Sequence, residues 1–216
     1  MEQKQVKQYW EDRANSNPLY YIFSHPESEN EDKFFQSGYV NKAWILSDTY
    51  VGKDDVVLEI GCGVGRLMFA FCNDVREIIG VDISGEYVRL GEKYADEFAV
   101  ENAVFIETDG LTIPNVKDGS VNFIYSFTVF QHAPHASIIT SMLKESYRVL
   151  VTGGLIKFHH NNLDSRNEGD IAFGCSYDKE DIDKLCAETG FELVDTYQDE
   201  CWASYHRGWW TILKKR

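Results

Sequence analysis

No stretch of this sequence approaches the roughly 18 consecutive apolar residues that a membrane-spanning helix needs. Its first residues, MEQKQVKQYWEDRAN, also lack the apolar core of a secretory signal. Neither membrane insertion nor secretion is expected, and cytoplasmic residence follows by default. Basic side chains are scarce too: 21 Lys and Arg stand against 35 Asp and Glu, a formal net charge of −14. The averaged field repels phosphate backbones and anionic lipid, which argues against nucleic acid and membranes as partners. The dense basic run Lys214-Lys215-Arg216 is terminal and reads as a solvated tail. The five cysteines are an odd set without a C-x-x-C pair, and Cys62 sits in a glycine-rich stretch. A disulfide framework and a structural zinc are therefore disfavoured, and no metal site is expected. Internal repeats, low-complexity tracts and proline-rich linkers are also missing, so 216 residues leave room for one substantial core.

What is present is ordinary globular composition, 44% apolar and 26% charged, which places the chain among folding rather than disordered sequences. From Val56 onward, short β-branched apolar runs alternate with longer helical patterns, as in a parallel sheet covered by helices. Strands are expected at Val56 to Ile60, Ile78 to Val81, Val104 to Glu107, Val121 to Tyr125 and Leu155 to Phe158, with two more near Phe191 to Tyr197 and Trp209 to Leu213. Helices are expected near Leu67 to Cys72, Glu86 to Phe98, Ser137 to Val149 and Asp178 to Thr189, the last stopped by Gly190. Gly153-Gly154 punctuates the exit from the third of these helices. Residues 1 to 50 differ: they read as helical segments rich in aromatics, among them Tyr9, Trp10, Tyr20, Tyr21, Phe34 and Trp44.

The most informative stretch is Glu59-Ile-Gly61-Cys62-Gly63-Val-Gly65-Arg66. A buried strand runs into alternating glycines and then a helix, so the backbone can turn tightly and a ligand can approach peptide units with no Cβ in the way. Asp82 ends the next strand, 17 residues after Gly65. A carboxylate there can accept both hydroxyls of an adenosine ribose. The G-x-G-x-x-G fingerprint of dinucleotide oxidoreductases needs a glycine where this chain has Arg66, so an NAD enzyme fits poorly. Glu59 is likewise unexpected beside an anionic pyrophosphate and suits a cationic neighbour. Simpler roles stay open, a tight turn for the glycines and a helix cap for Asp82.

These residues resemble motif I, E-x-G-x-G-x-G, of the class I S-adenosylmethionine-dependent methyltransferases, and the resemblance runs in register from about Val56 to Lys214. It implies a Rossmann-like α/β fold, a seven-stranded, mostly parallel sheet with helices on both faces. It also implies S-adenosylmethionine as cofactor, with S-adenosylhomocysteine as product. By the same resemblance the cofactor contacts Glu59, Gly61, Cys62, Gly63 and Gly65, with Asp82 on the ribose and Ile83 against the adenine. Asp109, Gly110 and Leu111, in Glu107-Thr-Asp109-Gly110-Leu111, resemble the adenine-reading motif. Ser126 and Phe127 resemble the fourth-strand end beside the reactive methyl. Asn122 departs from the Asp usual in such relatives.

Catalytic groups are harder to read, because a sulfonium is already a strong electrophile and the protein mainly supplies alignment and desolvation. His132 follows the fourth strand and is the candidate general base, or else a loop histidine that braces the site. His159 and His160 end the fifth strand and, by alternation, point to opposite faces, so they do not form a metal pair. Asp164 and Glu168 follow in a loop without a second ligand cluster. Residues 1 to 50 form an N-terminal helical cap or lid on a cofactor domain of 51 to 216, with Tyr9 and Tyr21 as faces for the sulfonium. The expected activity is methyl transfer to an O or N nucleophile of a small molecule. A protein-directed methyltransferase and a non-catalytic S-adenosylmethionine-binding protein are the alternatives.

Overall fold

The computed structural model describes residues 3–162, 174–198 and 208–216. They fall into two units, Glu2–Asp109 and Gly110–Arg216. In the first, three helices precede the sheet: α1 (Gln3–Ser16), α2 (Pro18–Phe23) and α3 (Glu31–Ile45), with a 3₁₀ turn at Pro26–Glu29. The starts of α2 and α3 are written locally. The Asn17 side chain accepts from the Tyr20 amide, Pro18 takes the first helical position, and Asn30 accepts from the Lys33 amide. Then come β1 (Val56–Ile60), α4 (Met68–Phe71), β2 (Glu77–Asp82), α5 (Gly85–Glu97) and β3 (Ala103–Glu107). The strands pair in parallel, β1 with β2 and β2 with β3, and every residue of β1 is buried. A continuous apolar run is what a strand buried on both faces requires.

The aromatics of residues 1 to 50 are core as well as surface. Ala14 and Phe34 form one buried cluster with Val64 and Tyr87, and Trp10, Leu19, Ile22 and Phe23 pack around it. Phe35 sits 4.9 Å edge-on from Tyr94 and from Phe98, and 5.7 Å from Phe69. The N-terminal helices thus share a core with the glycine loop and with α5.

The second unit holds β4 (Val121–Ser126), a 3₁₀ turn at Phe130–His132, α6 (Ala136–Val149), β5 (Leu150–Asn161), α7 (Lys179–Thr189), β6 (Glu192–Gln198) and β7 (Gly208–Lys214). β4 and β5 pair in parallel, and β7 runs antiparallel to both β5 and β6. Arg148, at the end of α6, donates to the carbonyls of Ile113 and Val116 and to Asp118 and Glu145, and so ties the segment before β4 to the helix. Along the seven-stranded sheet the order is β3-β2-β1-β4-β5-β7-β6. This is the expected Rossmann-like α/β sheet, with β7 the reversed strand of its unit. Among the described residues no helix is long and apolar enough to cross a membrane.

One local expectation is corrected. Gly153 and Gly154 do not lie in a turn before the fifth strand; β5 begins at Leu150, directly after α6 ends at Val149. Gly153 has φ +82, and the pairing jumps from Val121↔Leu150 to Phe123↔Leu155. Two glycines read as a break in sequence are here an irregularity within a strand: β5 places Val151 to Gly154 opposite the single Asn122 of β4, and Gly153 takes a conformation glycine adopts freely.

Candidate functional site

At the carboxyl end of β1 the chain turns through Gly61 (φ +75), Gly63 (φ +52) and Gly65 (φ +85). The amides of Gly61 and Cys62 both donate to the Val81 carbonyl, at 2.8 and 3.1 Å, which pins the start of the loop to β2. Space matters here as much as φ. A Cβ on Gly63 would lie 2.7 Å from Ile22 Cδ1, and one on Gly65 would lie 2.7 Å from Phe105 Cζ. Ile22 of α2 therefore rests directly on the loop.

Asp82 faces that loop from the end of β2. Its Oδ2 accepts from the Gly63 amide and its Oδ1 from the Ser84 amide, each at 2.9 Å. The carboxylate is buried, and desolvation pushes its pKa up to about 6; the amide hydrogen bonds oppose this and the Glu11 charge adds to it. Each oxygen keeps a further lone pair for another donor. The cap of α5 is Ser84, whose Oγ accepts from the Tyr87 amide at 3.2 Å, so Asp82 is not that cap.

Glu59 is buried on β1 opposite Gly80. Burial, and then the charges of Asp82 and Glu59, hold the Cys62 thiol well above its ordinary range, so it stays protonated. Ile83 is half-buried, and Asp109 is exposed, its backbone carbonyl accepting from Gln3 Nε2 at 2.7 Å. Arg13 occupies the aromatic faces named for the sulfonium: its guanidinium carbon lies 3.2 Å from the Tyr9 ring centroid and 5.0 Å from that of Tyr21.

In the second unit, Gly110 has φ +77, Leu111 is half-buried, and Ser126 and Phe127 are buried at the end of β4. Phe127 stacks on Trp210 at 5.5 Å, and His159 meets the same indole edge-on at 5.2 Å. His132 closes the 3₁₀ turn half-buried, its Nε2 facing the Gln131 side-chain amide nitrogen at 3.3 Å. An amide nitrogen only donates, so Nε2 accepts and this tautomer carries its proton on Nδ1. His159 and His160 are both buried. His160 Nδ1 lies 3.1 Å from the Asn161 carbonyl, which only accepts, so Nδ1 donates and Nε2 accepts from Thr211 Oγ1 at 2.9 Å. Burial pulls the His160 pKa down to about 4, so the ring is neutral near pH 7. Among the described residues no group of three or more His, Cys, Asp or Glu is placed to hold a metal ion. Asp164 and Glu168 lie outside the described residues.

Residues 57–154 match the family model of the methyltransferase domain. The uncharacterised methyltransferase YcgJ of Bacillus subtilis is 36% identical over 98 residues, 45% of this chain and 37% of that protein. The structure is similar to an S-adenosylmethionine-dependent methyltransferase of Methanosarcina mazei, with TM-score 0.64 and 19% identity, covering 77% of this chain and 94% of that one. It is also similar to geranyl diphosphate C-methyltransferase of Streptomyces coelicolor, solved with Mg2+, geranyl diphosphate and S-adenosyl-L-homocysteine, with TM-score 0.71, 14% identity and coverage of 99% and 98%. The segment matched by the family model, under half of the chain, is similar to the methyltransferase domain family. The chain spans well under half the length of YcgJ, and the structural likenesses carry the fold alone.

Motif reading misses the residues that α1 and α3 bring to the glycine loop and Asp82. Glu11 accepts from Ser84 Oγ at 2.8 Å and from the Gly85 amide at 2.9 Å. Arg66, read in the sequence as a missing glycine, is buried; its Nη1 donates to Ser37 Oγ at 2.8 Å and Asn41 Oδ1 at 2.6 Å. Ser37 and Asn41 are one helical turn apart, as are Lys7 and Glu11, which places each pair on one helix face without naming what that face meets.

Proposed function

We propose that the chain is an S-adenosylmethionine-dependent methyltransferase that acts on an O or N nucleophile of a small molecule in the cytoplasm. The observation that carries the cofactor reading is Asp82. It is a buried carboxylate held by two backbone amides against a glycine loop, with lone pairs to spare for the two hydroxyls of a ribose. On the same reading Gly61, Gly63 and Gly65 give the nucleoside access to backbone, Glu59 offsets cationic charge, and Ile83, Asp109, Gly110 and Leu111 take the adenine. Ser126 and Phe127 flank the methyl. The four described cysteines are free thiols, which supports a reducing compartment.

When bound, the sulfonium supplies an electrophilic methyl group. The chain's own contribution is then to orient the acceptor, exclude water and, for a protonated nucleophile, accept its proton. His132 is the candidate for that base, at Nε2, once the Gln131 amide has moved aside. Residues 1 to 50 cap the nucleoside side, and Tyr9 and Tyr21 present their rings to the sulfonium once the Arg13 guanidinium has moved off them.

Calorimetry should show binding of S-adenosylmethionine and S-adenosylhomocysteine, and a labelled methyl donor should mark an acceptor in a metabolite extract. Binding of NAD with neither sulfur nucleoside bound would overturn the reading. Turnover should also survive EDTA, since no ligand set is proposed. Loss on chelation, restored by a divalent ion, would sink the metal-independent mechanism.

A further inference from the structure

Three side chains of α1, spaced four residues apart, reach three successive points at the ends of β2 and β3. Gln3 donates to the Asp109 carbonyl, Lys7 pairs with the Glu107 carboxylate, and Glu11 meets the start of α5. Such spacing puts all three on one face of the helix, so α1 lies across these strand ends as a unit. Charge is matched rung by rung: the cation meets a carboxylate, and the anion meets a helix N-terminus.

Glu11 makes the densest of these contacts. Its carboxylate accepts from Ser84 Oγ (2.8 Å), the Gly85 amide (2.9 Å) and the Glu86 amide (3.3 Å). Ser84 is engaged on every polar side, since its Oγ also caps α5 and its amide donates to Asp82 Oδ1. A continuous chain of hydrogen bonds thus runs from α1 through Ser84 to the carboxylate assigned to the ribose. The fit is close, because a Cβ on Gly85 would fall 2.6 Å from Glu107 Oε2 and 3.5 Å from Glu11 Oε1.

We propose that Glu11 is a positioning residue for the nucleoside site, holding α1 across the strand ends and fixing Asp82 through Ser84, so that α1 closure and nucleoside binding strengthen one another. The proposal rests on the cofactor reading above and adds an energetic coupling to it. Coupling of this kind is reciprocal: whatever factor α1 adds to nucleoside affinity, the nucleoside adds to α1 closure.

The ionisable groups around Asp82 set a second signature. Glu11 faces it from α1 and opposes its ionisation. Glu107 is its register partner on β3 and is paired with Lys7. From the loop, the Cys62 thiol feels both Asp82 and Glu59, and from α5 Tyr87 feels Asp82 and, oppositely, Arg13. Of these groups Glu11, Lys7 and Arg13 belong to α1 and leave with it, and Glu11 is the one that acts on Asp82 directly.

Hydrogen exchange of α1 and calorimetry with S-adenosylhomocysteine test the coupling together. In the wild type, the nucleoside should slow exchange across residues 3–16. Glu11→Ala should speed that exchange without nucleoside and weaken binding about tenfold, within the usual range for coupled sites. Lys7→Ala should cost under about threefold, since an exposed ion pair contributes little. Glu11→Gln keeps one acceptor and loses the charge, so the pH below which binding weakens should move down; it also serves if the alanine variant does not fold. Faster exchange with unchanged affinity would show that α1 only packs, and an unmoved pH profile in Glu11→Gln would remove the link to Asp82. Absence of nucleoside binding by the wild type would sink the cofactor reading and the coupling with it, while the exchange of Glu11→Ala alone would still show whether Glu11 anchors α1.

Discussion

Asp82→Ala should weaken S-adenosylhomocysteine binding by about 1–3 kcal/mol, the loss expected for charge-assisted hydrogen bonds to two hydroxyls. It should do so without a matching loss of fold stability. The Asp82 pKa is about 6 in the folded chain against an ordinary 3.8. For an acid raised in this way, the folded state binds the proton more tightly. The stabilisation is complete below about pH 4 and is lost as pH rises through about 6. Above that the buried charge costs about 3 kcal/mol. Alanine removes that cost but leaves the Gly63 and Ser84 amides without their acceptor, at about 1–3 kcal/mol each, so the two effects roughly cancel near pH 7. Ligand hydroxyls favour the charged carboxylate, so wild-type affinity should fall below about pH 6 and the variant's should not. Calorimetry across pH, alongside thermal melts, reads both. Wild-type affinity in the alanine variant would leave Asp82 with a purely structural role.

Phe34→Ala should lower stability by about 3–5 kcal/mol, the usual result of emptying a buried phenylalanine site. Phe34 is fully buried in α3, with its ring 5.0 Å from Phe35 and 6.4 Å from Phe23. For a chain of this size the melting temperature should fall by roughly 6–20 °C. A change under about 2 °C would mean that the N-terminal helices do not share the core of the glycine loop. The same core bears on truncation. Removing residues 1–25 takes Trp10, Ala14, Leu19, Ile22 and Phe23 from around Val64 and Tyr87, so stability should drop together with binding. A cap that is also core cannot be cut away as an independent flap.

The strands were legible because each is a short run of mostly apolar, often β-branched residues set between polar or glycine-containing segments, β1 between Asp55 and Gly61. β1 was read to the residue, and β2, β3 and β4 to within a residue at either end. β5 was misjudged at its start, since Gly153-Gly154 carries the same local signal whether it breaks a chain or bulges a strand, and only pairing with β4 distinguishes the two. Asp82 and the glycines could be read from motif spacing. Glu11, Lys7 and Arg66 could not, because their partners lie 73, 100 and 25 to 29 residues away and no local pattern encodes such a meeting. The composition of residues 1 to 50 announced aromatic helices but could not say whether their rings would be buried or exposed. In the fold Phe34 is fully buried and Tyr39 largely exposed.

The junction of α6 and β5 has no connecting residue, and the one adjustment to register is the irregularity at Val151 to Gly154. Side chains alternate along a strand, so adding or removing a single residue between Val149 and Leu155 would turn over every side chain beyond it. His159, now against Trp210, and His160, now on Thr211, would exchange surroundings. Chain length at this point, more than the identity of any one residue, decides which imidazole meets the indole and which hydrogen-bonds the threonine.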